Sequence, residues 1–188
     1  MKLTFVDLGK LGFVMEPRYY FFGWSDSPRV MARKSLAVAL ARARKLLPKG
    51  CNFKVWDCQR DRRVQLKMIA AFRRRLIAAH PKWNERRLEK EIFTFASRPK
   101  LRVTRLDHHR NGGAVDLTVI DRQGRELWMG TDHDDLTPVA AMDYFESVTS
   151  LRAMDKEAKK NRRLLKKAMV KAGFYVYAPE WWHFGFER

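Results

Sequence analysis

A histidine and an aspartate stand either side of a glycine pair in His109-Arg110-Asn111-Gly112-Gly113-Ala114-Val115-Asp116. The glycines allow a tight turn and a close approach of backbone to a ligand. Asp116 then enters an apolar stretch between Val115 and Leu117, where a lone ionised carboxylate is expensive to bury and needs a partner. A metal ion would serve. Further on, Glu180-Trp181-Trp182-His183 sets a carboxylate and an imidazole among aromatics. A histidine on a strand is most often a satisfied core residue, so this segment is weak alone. Together the two segments supply two histidines, one aspartate and one further glutamate. That set suits a catalytic zinc ion, one per chain: His109, Asp116 and His183 as ligands, an open position for water, and Glu180 as the base beside it. The same donors also hold other divalent ions. Strict strand alternation would put Glu180 and His183 on opposite faces, so the chain must bend or bulge near Trp181, for which Pro179 makes room. A third segment, Asp57-Cys58-Gln59-Arg60-Asp61, places Arg60 at a strand exit, where functional side chains often stand; by composition alone it is one exposed arginine among many.

The elements that must position these residues follow from periodicity and punctuation. Residues 30–47 predict a helix, with Leu36, Leu40, Ala43 and Leu47 at helical spacing and Pro48-Lys49-Gly50 ending it. Phe53 to Trp56 reads as a short strand. Residues 62–79 predict a helix with Leu66, Ile69, Phe72 and Leu76 on one side, stopped by Pro81, and Asn84 can cap another to about residue 96. Residues 114–120 read as a central strand, Asp121 to Gly124 as a turn, and Arg125 to Trp128 as its partner strand. A long helix spans about 152–172, with Leu164, Leu165, Ala168, Met169 and Ala172 as its apolar stripe and Gly173 as its end. Tyr175 to Ala178 and Trp182 to Phe186 form a closing pair of strands. The first thirty residues are rich in aromatics and show no clear period. The fold class is therefore α+β: a single domain over residues 1–188, with helices packed on a small, mainly antiparallel sheet that carries the zinc site.

Composition bounds the rest. The chain has 188 residues, 46% of them hydrophobic, which is enough for a real core. No apolar run reaches the length of a membrane span. The N-terminal residues lack a signal-peptide pattern, which predicts a cytoplasmic protein; a leader removed beforehand would make it periplasmic. The two cysteines, Cys51 and Cys58, are too few for a disulfide framework and read as small buried thiols. The formal charge of +18 admits nucleic acid or an anionic wall polymer as a partner. Its basic runs, Arg73-Arg74-Arg75 and Lys166-Lys167 among them, lie in helical segments and read better as solvated faces, with no nucleic-acid-binding signature beside them.

Taken in order, these segments resemble the VanX-type D-alanyl-D-alanine dipeptidases, within the zinc D,D-dipeptidase and D,D-carboxypeptidase superfamily that shares a Ser-x-His-x6-Asp and a Glu-x-x-His motif. Phe5-Val6-Asp7-Leu8 and Arg18-Tyr19 are similar to that family's N-terminal segment. Asp57 to Arg60 resembles its Asp-Ala-Tyr-Arg, and His109 to Thr118 its His-x-x-Gly-x-Ala-x-Asp-Leu-Thr. Met129-Gly130-Thr131 followed by Asp134 resembles its Met-Gly-Ser/Thr-x-x-Asp. Asn161-Arg162-Arg163-Leu164, Gly173-Phe174 and Glu180-Trp181-Trp182-His183 follow in the family's order, so the similarity runs over nearly the whole chain. The resemblance implies zinc on His109, Asp116 and His183, Glu180 as general base and acid, and Arg60 stabilising the oxyanion. It also implies that Asp134, with Tyr19, holds the free ammonium group of a small dipeptide substrate, D-Ala-D-Ala or similar.

The sequence departs from that pattern at the segment nearest the substrate's carboxylate. Asp107 replaces the family's Ser and would repel a carboxylate, whereas a protonated His108 would attract one. His108 is also a rival ligand to His109, though the Gly and Asp spacings favour His109. Asp61 replaces a Pro and is placed to pair with Arg60. These changes leave a substrate other than D-Ala-D-Ala open. The alternatives are a peptidoglycan D,D-carboxypeptidase or endopeptidase with the same zinc chemistry, and a basic nucleic-acid- or wall-binding protein on the same fold.

Overall fold

Residues 114–120 are apolar except at Asp116 and Thr118, and a strand of that kind must be covered on both faces. In the structure, a computed structural model that describes residues 3–98 and 108–187, every residue of this strand is buried. In chain order the described elements are β1 (Phe5–Asp7), β2 (Val14–Met15), α1 (Arg18–Phe21), β3 (Met31–Arg33), α2 (Lys34–Arg44), β4 (Asn52–Asp57), α3 (Arg62–Ala79), α4 (Glu85–Phe95), β5 (Ala114–Ile120), α5 (Tyr144–Ser147), α6 (Ala153–Lys171), β6 (Tyr175–Val176) and β7 (His183–Gly185). The main sheet has the order β2-β4-β5-β7-β6; only β2 and β4 run parallel. β1 and β3 form a separate antiparallel pair. The architecture is the α+β arrangement the sequence predicts.

Strand alternation sorts the two faces of β5. Val115, Leu117 and Val119 join Phe53, Val55 and Phe184 in one core, with Leu36, Leu40 and Ala43 of α2 and Leu165, Ala168 and Met169 of α6. Burying each Val, Leu, Phe or Met side chain among them contributes about 1.5–3 kcal/mol. Asp116 and Thr118 point the other way. A second apolar cluster lies under α3 and α4, built from Tyr19, Val64, Met68, Phe72, Leu76, Leu88 and Ile92.

Three local readings are corrected. Residues 31–33 pair with β1, so the helix read from residue 30 begins at Lys34. Leu66 is exposed, and the buried line of α3 is Val64, Met68, Phe72 and Leu76. Residues 125–128 do not form a strand; they make a single bridge, Ile120 to Glu126. Backbone bonds from Asp121 N–H to the Arg125 carbonyl and from Leu127 N–H to the Val119 carbonyl, both 2.9 Å, hold them there; past Leu127 the Asn161 side chain donates to the carbonyl of Trp128 and Arg162 to that of Met129. Most residues of the basic runs lie on exposed or half-exposed helix faces, several with acidic partners: Arg73 with Glu85, Arg163 with Glu146, and Lys166 with Asp143; Arg162 is the exception, buried and bonded to the carbonyls of Met129 and Ala141. Cys58 is buried and Cys51 partly so, and both are free. Among the described residues, no helix is long and apolar enough to cross a membrane.

Candidate active site

Three neighbouring strands bring three polar residues into one row. Asp116 of β5 is in register with His183 of β7 on one side and with Asp57 of β4 on the other. The second pairing needs an irregularity. β4 runs in regular register with β5 as far as Val55 opposite Leu117, then shifts by one before Asp57. Regular pairing would have set Trp56 opposite Asp116. The bulge re-aims Asp57 to the face that Asp116 occupies, a common use of bulges beside functional sites.

His109 reaches the same point from the loop before β5. The backbone N–H groups of Gly112 and Gly113 donate to the carbonyls of His109 and His108, at 3.0 and 2.7 Å, which folds the loop tightly. Gly112 adopts φ 68°, in the left-handed region, and a Cβ there would stand 2.7 Å from the Phe5 ring and 3.0 Å from the Arg33 backbone nitrogen. Gly112→Ala should therefore destabilise the fold by about 1–3 kcal/mol, from the left-handed strain and the clash together. In a domain of this size that is a fall in Tm of roughly 2–4 °C per kcal/mol. Thermal unfolding checks it; an unchanged Tm would contradict the strained-turn account.

The candidate donor atoms converge. His109 Nε2 lies 3.1 Å from His183 Nδ1, and His183 Nδ1 lies 3.0 Å from Asp116 Oδ1. These donors lie within 4.8 Å of one another. Two atoms each about 2.0–2.1 Å from one tetrahedral zinc ion would be roughly 3.4 Å apart, so the spacing is close to what an ion needs. The outer contacts fit as well. His109 Nδ1 faces two acceptors, the Cys58 carbonyl at 2.7 Å and Asp57 at 3.2 Å, which leaves Nε2 for the ion. Burial and the Arg60 charge oppose a proton on His109, yet Asp116 and Asp57 outweigh them and push its pKa up to about 9. His183 moves the opposite way, chiefly through burial.

Glu180 and His183 do share a side. The chain between β6 and β7 turns rather than extends: Glu180 N–H donates to the Tyr177 carbonyl, and His183 N–H to the Glu180 carbonyl at 3.4 Å. This is the bend near Trp181 that the motif requires, and it leaves Glu180 Oε2 3.6 Å from His183 Nδ1. Burial first, then the charges of Asp116 and Asp134, hold the Glu180 carboxyl well above its ordinary pKa.

Arg60 is buried, not one exposed arginine among many. It donates to Asp57 at 2.7 Å, to Asp116 Oδ2 at 2.9 Å and to Gln65 at 3.0 Å. The expected pairing with Asp61 is not made. Asp61 instead caps α3 by accepting from the Val64 N–H at 2.9 Å.

A cavity of about 310 Å³ joins the parts, lined by His109, Asp116, His183, Glu180, Arg60, Asp134 and His108 among others. Tyr19 does not line it; its hydroxyl donates to Asp134 at 3.2 Å and so holds that carboxylate from behind. Asp134 sits at φ 59°, a left-handed position that Asp tolerates better than most residues. Asp107 lies outside the described residues. Sequence reasoning missed two participants. Asp57, which bonds both Arg60 and His109, carried the signal of standing at a strand end three residues before Arg60. His133, buried between Asp116 and Asp134, carried none.

Comparison with known proteins addresses the family. The family model for peptidase M15, described as D-ala-D-ala dipeptidase, matches residues 23–187. A D-alanyl-D-alanine dipeptidase from Streptomyces coelicolor is 28% identical over 166 residues, covering 83% of this chain and 73% of that protein. Proteins of the same name from Synechocystis and Escherichia coli are 32% and 37% identical over shorter stretches, which span only 32% and 39% of those proteins. With the family model matched over most of its length, the chain belongs to the D-ala-D-ala dipeptidase family, peptidase M15.

Proposed function

We propose that this protein is a zinc dipeptidase that hydrolyses D-Ala-D-Ala or a similar short dipeptide with a free N-terminus. The observation that carries the reading is that one small cavity gathers the three metal donors, Glu180 and Asp134. Its volume is at the low end of small-ligand sites, which suits a dipeptide better than a polymer. His109, Asp116 and His183 would hold the zinc ion, which supplies Lewis-acid chemistry when bound. Glu180 takes a proton from the attacking water as the water oxygen bonds to the peptide carbonyl carbon. It then gives that proton to the leaving amine as the C–N bond breaks. A carboxyl with a raised pKa suits both halves of that task. Arg60, charged at any working pH, stabilises the negative charge that develops on the carbonyl oxygen. Asp134, steadied by Tyr19, pairs with the substrate ammonium, and His108 serves the carboxylate end.

The test sets a free dipeptide against its N-acylated form. The dipeptidase reading expects turnover of the free amine alone; cleavage of only the acylated peptide would assign the protein to the open-cleft carboxypeptidases or endopeptidases of the superfamily. Asp134→Asn sharpens the result, because Asn keeps the left-handed backbone while removing the charge. A charge-assisted hydrogen bond contributes about 1.5–3 kcal/mol, so KM for the free dipeptide should rise roughly 10–100-fold. An unchanged KM would remove Asp134 from ammonium binding.

A further inference from the structure

His133 is buried beside the site without lining its cavity. Its ring stands 4.6 Å from that of Trp56 and 5.3 Å from that of Trp182, centre to centre. Both ring nitrogens are shut off from solvent, and neither has a hydrogen-bond partner among the described residues. Nε2 lies 3.8 Å from Asp116 Oδ2 and 3.6 Å from Asp134 Oδ1. Those distances are too long for a hydrogen bond to either, yet short enough that a small shift would make one. A buried, unsatisfied polar group costs about 1–3 kcal/mol. If filling space were its whole task, an apolar ring in this aromatic box would do it without that cost.

We propose that His133 is a positioning residue: with a proton on Nε2, it ties the aim of the metal-ligand carboxylate Asp116 to the aim of the ammonium-binding carboxylate Asp134. The inference rests on the roles given to those two residues under the proposed function. Asp116 presents Oδ1 to His183 and Oδ2 to Arg60, so a donor approaching Oδ2 resists rotation of the carboxylate away from the ligand geometry. Asp134 follows His133 directly in a left-handed turn, so the same backbone sets both side chains. One proton serves one oxygen at a time. When a substrate ammonium occupies Asp134, the His133 N–H is released toward Asp116. Occupancy of the ammonium pocket and grip on the metal then favour each other, as linkage requires of any such coupling.

The experiment compares wild type with His133→Phe, which keeps a ring in the box and loses the N–H, and His133→Gln, whose amide nitrogen reaches the place of Nε2. Three readouts apply: the ring 15N shifts of His133 in the metal-free protein, zinc affinity by chelator competition, and KM and kcat on D-Ala-D-Ala. The proton should sit on Nε2. The Phe variant should match or exceed wild type in thermal stability, bind zinc about 10–100-fold more weakly, as outer-shell changes do, and raise KM more than it lowers kcat. The Gln variant should recover part of both losses. A bare Nε2 in the metal-free protein, a Phe variant equal to wild type in zinc affinity and KM, or losses that Gln does not relieve would each overturn the proposal. Should wild type bind zinc without cleaving D-Ala-D-Ala, the substrate reading fails while zinc affinity still decides the role of His133. Should wild type bind no zinc, Asp116 is no metal ligand and the proposal is overturned with that role.

Discussion

Glu180→Gln will keep its metal and lose turnover by roughly 10²–10⁴-fold, the usual contribution of a positioned general base and acid. The two halves of that expectation have separate physical grounds. The contacts that place His183, a proposed ligand, run through the Glu180 backbone: its N–H donates to Tyr177, and its carbonyl accepts from the His183 N–H. A change of side chain leaves them intact, so the metal donors stay where they are. The lost chemistry is specific to the carboxylate, because an amide of the same shape cannot take up the water's proton. Stability should not fall with activity. Burial raises the Glu180 pKa in the folded, metal-free protein, so the ionised carboxylate is a destabilising group there. Its cost is absent at acid pH, where the group is protonated in both folded and unfolded states, and it grows as pH rises past the ordinary carboxylate range. The metal-free Gln variant should match wild type in acid and exceed it near neutral pH. Elemental metal analysis, D-Ala-D-Ala hydrolysis and thermal unfolding read the three parts. Turnover within tenfold of wild type would remove Glu180 from the chemistry, and loss of the metal would make it a ligand instead.

The features legible in the sequence are those that depend on local pattern. β5 and α3 stand at 114–120 and 62–79, where their apolar runs and bounding residues put them. The convergence of the candidate donors was legible because their chemistry is concentrated: a Gly-Gly turn, a carboxylate inside an apolar strand, and a Glu and a His three residues apart. What escaped was set by tertiary partners. β1, β2 and α1 are two to four residues long, too short to show a period, and they exist because β3, β4 and the second core receive them. The strand read at 125–128 stops at one bridge, and past Leu127 side chains of α6 take the carbonyls of Trp128 and Met129, a competition no local window displays. Arg60 looked exposed because nothing near it in sequence declares that Asp116, fifty-six residues on, will bond it. His133 is the extreme case. Its neighbours Asp132 and Asp134 suggest a polar loop, and only the converging rings of Trp56 and Trp182 place it in the interior.

Asp116→Asn will abolish tight zinc binding while leaving a folded protein. Asp116 is the most deeply buried of the three donors, and removing one partner of a buried ion pair ordinarily costs about 3–5 kcal/mol because the other charge is stranded. Here the other charge is not stranded. Arg60 keeps Asp57 at 2.7 Å and Gln65 at 3.0 Å, and the Asn amide oxygen can still accept from its guanidinium. The metal-free variant should therefore lose less than that full penalty. The metal-dependent part of stability behaves differently. At a zinc concentration 100 times the wild-type Kd, binding adds about 2.7 kcal/mol to wild type. Removing a charged ligand should weaken Kd by more than the roughly 10–100-fold typical of outer-shell changes. At the same zinc concentration the variant would then gain under about 0.4 kcal/mol. Thermal unfolding with and without zinc separates the two contributions: wild type should show a clear rise in Tm on adding zinc, and Asp116→Asn almost none. A variant that keeps the full zinc-dependent rise would show that Asp116 serves Arg60 rather than the metal. A metal-free variant that does not fold at all would show that Asp57 alone cannot hold the guanidinium in place.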